Sequence, residues 1–333
     1  MNQQKQQLQD VLYIRCFAVI SLVAWHSYCS YICWGYGESP LDGFYAKLFN
    51  FLTPDANMPL FTFLAGYLFC YLLKGKNKYP NFKGFLCNKI HRLLIPFLVL
   101  GTLTNLTQVN RSISEIFYGK PSHLWYCLML FYCYIACWLL EKYGGKKWNI
   151  ALTIISCGVV LYKGFGALGP NVPFGLFLPL YYYCYFYIGF LAFENKEKVM
   201  SLFLKYWAVL ILLYFALVKL ACSHLLLLQC LTYILMVLWL CNKALTKYGK
   251  FTPPKKNSKY YSIISSISQC SMGIYVFHQW IIWNITRPNF LHGIIHEHYI
   301  LFPMLCWILI FNISWALSHI LIKYTRIGRY LLT

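Results

Sequence analysis

Apolar residues fall along this chain in ten runs separated by short polar segments: 11–33, 56–73, 86–108, 122–140, 148–163, 174–193, 203–221, 223–242, 262–283 and 299–322. A hydrocarbon layer ~30 Å thick takes about 20 helical residues at 1.5 Å each, and most of the runs are near that length. The pattern predicts an all-α polytopic membrane protein with about ten transmembrane helices in one bundle. Residues 1–333 read as a single integral-membrane domain with no attached soluble domain. The fifth run is short, and the seventh and eighth are nearly continuous.

The first run, VLYIRCFAVISLVAWHSYCSYIC, holds two ionisable side chains, Arg15 and His26. Eleven residues are close to three turns, so both project from one helix face, roughly 16 Å apart along the axis. Ionisable groups inside a spanning helix are costly and usually face a bundle interior or a wet cavity, where they serve function. The ordinary structural alternatives are a snorkelling arginine and a hydrogen-bonded core histidine.

Charge then orients the runs. The chain is 59% hydrophobic and only 11% charged, with a net charge of +20. In a soluble chain that charge would point to nucleic acid. Here the basic residues cluster in alternate connections, and only Lys47, Arg111, Lys120, Lys163, Lys219 and Arg287 of the 29 fall on the other side. The positive-inside rule therefore predicts cytoplasmic N- and C-termini and no nucleic-acid partner. The polar head MNQQKQQLQD and the long first run do not read as a cleavable signal peptide. The cysteines sit mostly within apolar runs and form no C-x-x-C pair, so they read as small core hydrophobes and no metal is expected.

Further candidates follow from depth. The second basic connection leads into NKIHRLLIPF, where Lys89, His91 and Arg92 enter the third run and Pro96 is expected to end or kink a turn. The ninth run places His278 at nearly the depth of His26, with Tyr275 one turn earlier on the same face. His123 stands at the outer mouth of the fourth run, as a third histidine at that level or as part of an interfacial aromatic belt. The outer segment 34–54 carries Glu38 and Asp42, and a His-rich outer loop holds His292, His296 and His298.

Histidine near its unperturbed pKa of ~6.5 is a natural general base for a hydroxyl, and arginine and lysine are the usual clamps for phosphate. The layout suits an elongated anionic cytosolic molecule whose reactive end is delivered near His26. Five segments, taken in order, resemble the membrane acyltransferase family 3. They are Arg15 with His26 on the first run, MPLFTFLAGYLF (58–69), KIHRLLIPF (89–97), SHLWY (122–126) and SMGIYVFHQW (271–280).

The resemblance covers essentially the whole sequence. It implies an O-acyltransferase that moves an acyl group, usually acetyl, from cytosolic acyl-coenzyme A to a sugar hydroxyl of a cell-surface or lipid-linked glycan. It further implies a bacterial cytoplasmic (inner) membrane location. His26 matches the family's essential histidine and Arg15 its paired arginine. Lys89 and His91 stand where the family has an R-x-R pair, with Arg92 following; this departure shifts the expected phosphate contact toward Arg92. Ala65 stands where the family often has serine. The expected site is therefore His26 as catalytic group, with Arg15, Lys89, His91 and Arg92 binding acetyl-CoA. His278, Tyr275, His123 and Glu38 are second-layer or acceptor-side candidates. The alternative is a transporter or flippase of a glycan intermediate, with the same ionisable residues lining a pathway. Neither an internal repeat nor paired broken segments support it.

Overall fold

The computed structural model describes residues 2–32, 56–109, 113–118, 122–163, 172–220, 226–247, 250–251, 258–286, 294, 297–298 and 301–332. Each apolar run of the sequence falls mainly on helix where it is described, with turns at residues 56, 176–177 and 270. The helices are α1 (Asn2–Ile32), α2 (Asn57–Cys70), α3 (Phe82–Lys89), α4 (Ile95–Thr104), α5 (Trp125–Leu139), α6 (Lys146–Lys163) and α7 (Leu178–Glu194). Then follow α8 (Lys196–Leu220), α9 (Leu226–Leu245), α10 (Lys259–Gln269), α11 (Ser271–Thr286), α12 (Leu301–Tyr324) and α13 (Arg326–Leu332). A short antiparallel ladder pairs Thr246–Lys247 (β1) with Lys250–Phe251 (β2).

Among the described residues, six helical segments are long and apolar enough to cross a membrane: Val11–Tyr28, Asn57–Gly75, Phe82–Thr107, Pro173–Glu194, Leu226–Lys243 and Leu301–Tyr324. Two compact units form. One joins Met1–Asn57 with Ala244–Thr333, and the other comprises Met58–Lys243.

In the first unit α10, α11 and α12 pack around α1. Its core holds Ala18, Val19, Leu22 and Val23 from α1 with Ile274, Val276 and Ile282 from α11. Ser21 donates to the Asn57 side-chain carbonyl at 3.0 Å, a buried bond within this unit. The ninth run, expected as one span, divides at Cys270, where ψ is 1° instead of helical. The bonds from Cys270 N–H to Ser266 and from Ile274 N–H to Cys270 survive, so the break is a kink. Ser258 caps α10 by accepting from the Tyr261 N–H at 3.2 Å.

The second unit is built on aromatic packing and two mutual close approaches. A Cβ added to Gly66 on α2 would collide with the backbone carbonyl of Phe186, and one added to Gly189 on α7 with that of Phe63. Glycine at both positions lets the two helices touch backbone to backbone. Phe69, Tyr79, Phe85, Tyr134, Trp138, Phe186 and Phe190 pack together, with Phe85 and Trp138 stacked at 5.5 Å. Trp207 and Trp239 stack at 4.8 Å between α8 and α9.

Pro96 does not end its helix. Proline removes the N–H that would bond four residues back and crowds that carbonyl. The chain absorbs this with a wider turn over Ile90–Leu94, in which the Ile95 N–H reaches the Ile90 carbonyl. Helix therefore continues from α3 into α4, with Arg92 on the widened turn. Such insertions are frequent at functional sites.

Candidate active site

His26 and His278 meet in the first unit. Their ring centroids are 4.8 Å apart, and His278 Nε2 lies 3.3 Å from His26 Nδ1. Each ring reaches back to the preceding turn of its own helix: His278 Nδ1 is 2.9 Å from the Ile274 carbonyl and His26 Nδ1 is 3.0 Å from the Leu22 carbonyl. A carbonyl only accepts, so both Nδ1 atoms carry protons. His278 Nε2 is then a lone pair that accepts from His26 Nδ1–H, which it shares with Leu22. This assignment leaves the basic lone pair of His26 on Nε2. His278 is fully buried, while His26 is half-buried.

Aromatic residues brace the pair. Trp25 presents an edge to the His26 ring at 5.0 Å, and Tyr275 sits 6.1 Å from His278. Ala24 and Tyr28 on α1 pack with Trp25 and Trp307. Arg15, three turns below His26 on α1, is half-buried. Ser27, next to His26 in the chain, donates to the Val23 carbonyl at 2.8 Å. Gln279, next to His278 in the chain, is 1% exposed, and among the described residues neither its Oε1 nor its Nε2 has a hydrogen-bond partner.

The basic cluster of the third run belongs to the second unit, and its members differ. Lys89 is only 5% exposed, and its ammonium stands 3.3 Å over the Tyr134 ring. Phe69 and Tyr79 lie at 5.5 Å and Phe85 at 5.9 Å, completing an aromatic box. A desolvated ammonium against such faces gains about 2 kcal/mol or more. His91 and Arg92 are exposed. Arg92 is felt at Tyr79: burial pushes the Tyr79 phenol up from its ordinary range, and the Arg92 charge opposes that shift.

His123 heads α5 on a short turn, Ser122–Leu124, in the second unit. Glu38, Asp42, His292 and His296 lie outside the described residues. No group of three or more potential metal ligands occurs among the described residues.

Sequence reasoning missed a polar network in the second unit. Glu141 accepts from Asn149 at 2.8 Å and from Tyr187 at 2.9 Å, and pairs with Lys74 at 3.0 Å. Lys74 also pairs with Glu194, which bonds Lys146 at 2.9 Å, while Tyr183 donates to Asn149. The lysines had read only as membrane-anchoring charge. The signal in the sequence was the presence of two of the chain's nine acidic residues, Glu141 and Glu194, beside lysine-rich helix ends.

A family model described as an acyltransferase domain matches residues 9–319. The chain therefore belongs to acyltransferase family 3, and its apolar helices make it a membrane acyltransferase. No curated protein matches the chain. No solved structure matches it either.

Proposed function

We propose that the protein is a transmembrane O-acyltransferase that moves an acyl group, most simply acetyl, from cytosolic acyl-coenzyme A to a sugar hydroxyl of a cell-surface or lipid-linked glycan. The observation that carries this reading is the His26–His278 pair, which presents one basic nitrogen, His26 Nε2, on a helix with Arg15 about 16 Å below it on the same face. The family supplies the reaction class. The charge pattern supports ten spans with both termini cytoplasmic, and the resemblance supports a bacterial inner membrane.

The chemistry follows from the tautomer. His26 Nε2 takes the proton of the acceptor hydroxyl as its oxygen attacks the thioester carbonyl. The carbon–sulfur bond then breaks, and the sulfur leaves with the proton carried by Nε2. While His26 is cationic, its Nδ1–H bonds to Leu22 and to His278 Nε2 strengthen, because a charged donor bonds about twice as strongly as a neutral one. His278 thus acts as a positioning residue. Arg15 is assigned to the phosphates of the donor. In the second unit Arg92 and His91 are exposed, while Lys89, enclosed by rings, holds their turn in place.

Purified protein mixed with acetyl-CoA, with free thiol followed by a thiol-reactive dye, tests the reading. Thiol release that rises when surface glycan is added supports transfer. Absence of both release and coenzyme A binding would sink it in favour of glycan transport.

A further inference from the structure

Helix α12 is the least buried of the six apolar segments, with 22% of its residues buried. Leu309, Ile313, Leu317 and Ile320 make up its exposed face, as contact with hydrocarbon requires. Successive positions turn by about 100°, which sets His319 on the flank of that face and Lys323 one turn further on, nearly in line with it. Both are exposed. His319 stands about 7–8 Å before the helix end at Tyr324. Polar side chains within a spanning segment ordinarily face the bundle interior, and long ones near an end reach out to water. His319 does neither, because its ring is short and tethered. Its Nδ1 lies 3.3 Å from the Ser266 hydroxyl on α10, and the Ser266 oxygen accepts from the Trp315 indole N–H at 3.1 Å. Indole only donates, so the hydroxyl hydrogen is available to His319 Nδ1, and the ring proton is assigned to Nε2. Nε2 makes no hydrogen bond among the described residues.

A basic rim follows this donor. Helix α13 turns back after Thr325, whose hydroxyl accepts from the Gly328 N–H at 2.8 Å, and Gly328 and Leu332 are its buried residues. A Cβ on Gly328 would strike the Leu321 carbonyl, so the turn is close. Arg326 and Arg329 are left exposed on the short helix that follows Lys323. Among the described residues no carboxylate forms an ion pair with Lys323 or Arg326. We infer that this end of α12 binds the headgroup of an anionic phospholipid. The lipid phosphate accepts from His319 Nε2–H and from the Lys323 ammonium, and the acyl chains lie along Leu317, Ile313 and Leu309. Arg326 and Arg329 add the positive charge that selects a net negative headgroup. An apolar face, a braced donor and then cations repeat the lipid's own order of chains, phosphate and polar head. A water-soluble phosphate compound would have no use for the apolar face. The inference does not depend on the acyl-transfer reading.

The test offers phosphatidylglycerol or phosphatidylcholine to the purified full-length protein in detergent and measures retained lipid by native mass spectrometry. Wild type should hold phosphatidylglycerol about 10-fold more tightly. His319→Leu, which suits hydrocarbon, and Lys323→Gln should each reduce that preference to about 3-fold or less. Lys147→Gln, which removes an exposed charge from the other unit, should leave it intact. Lys323→Gln alters an exposed side chain only and serves if the leucine variant does not fold. Equal retention of the two lipids by wild type overturns the inference, as does an equal loss of preference in all three variants, the mark of diffuse surface charge. If His319→Leu or Lys323→Gln weakens acetyl-CoA binding in lipid-free detergent by a similar factor, these groups read the phosphates of the donor and the inference is wrong.

Discussion

His278 Nε2 sits 3.3 Å from His26 Nδ1, and because both Nδ1 atoms are committed to carbonyls, the second histidine is an added acceptor that reinforces the tautomer set by Leu22, with Nε2 of His26 the basic nitrogen. Removing the acceptor should act on the chemical step and spare donor binding. We expect His278→Leu to lower kcat by about 10–100-fold with little change in the KM for acetyl-CoA, and His278→Gln, which keeps an accepting oxygen, to lose less. Steady-state kinetics of the two variants checks the order. Equal losses, or a loss confined to KM, would contradict the tautomer argument.

Acid should silence the same step. Protonation of His26 Nε2 removes the base, so the turnover rate should fall as pH drops, and the acid limb should be the part of the pH–rate profile that His278→Gln alters. A profile whose acid limb is identical in wild type and variant would separate His278 from the titrating group.

The charged residues of the third run should not behave alike. Lys89 is enclosed by Tyr134, Phe69, Tyr79 and Phe85, whereas Arg92 is exposed. Lys89→Met, of similar shape, should leave acetyl-CoA affinity within about 2-fold of wild type and act on stability instead. Arg92→Ala removes only an exposed side chain and should leave stability within about 0.5 kcal/mol of wild type. Thermal unfolding of the two variants beside acetyl-CoA titration reads both.

Close backbone contact between α2 and α7 sets a hard limit on side-chain size. Gly66→Ala and Gly189→Ala each drive a methyl into an opposing carbonyl. We expect each to cost about 3 kcal/mol or more, seen as loss of monodisperse protein in detergent. The pair should be far from additive, since either change alone separates the same two helices.

In the Glu141 network the identity of the replacement should matter more than the loss of charge. Glu141→Gln keeps an oxygen for Asn149 and Tyr187 and loses the pair with Lys74, which is 40% exposed and therefore contributes little. Glu141→Leu strands both donors and should be destabilising by about 3 kcal/mol, against about 1 kcal/mol for the glutamine. Thermal unfolding of the two variants measures the difference.

Much of this architecture was legible from hydrophobic periodicity, because span length and burial of one helix face impose themselves on every residue of a run. The shared face of Arg15 and His26 follows from helical geometry alone. Depth also put His278 level with His26, but the bond between them needed tertiary packing that spacing does not encode. The same limit hid the box around Lys89, since its four rings come from three separate helical segments and the connection before α3. It also hid the partners of Lys74. Pro96 does not end its helix: of the two outcomes expected for it, an end or a kink, the chain takes a wider turn just before it that keeps the helix continuous. Nothing in the sequence singles out Gln279, because a missing hydrogen bond leaves no trace there.

The most direct test follows labelled acetyl from acetyl-CoA into glycan or water, using purified wild type beside His26→Ala, with folding checked by monodispersity. Label should move with wild type and fall by at least about 100-fold with His26→Ala while acetyl-CoA still binds. Transfer by a folded His26→Ala protein at the wild-type rate would contradict the account, for no other group would then depend on the nitrogen that His278 and Leu22 leave basic.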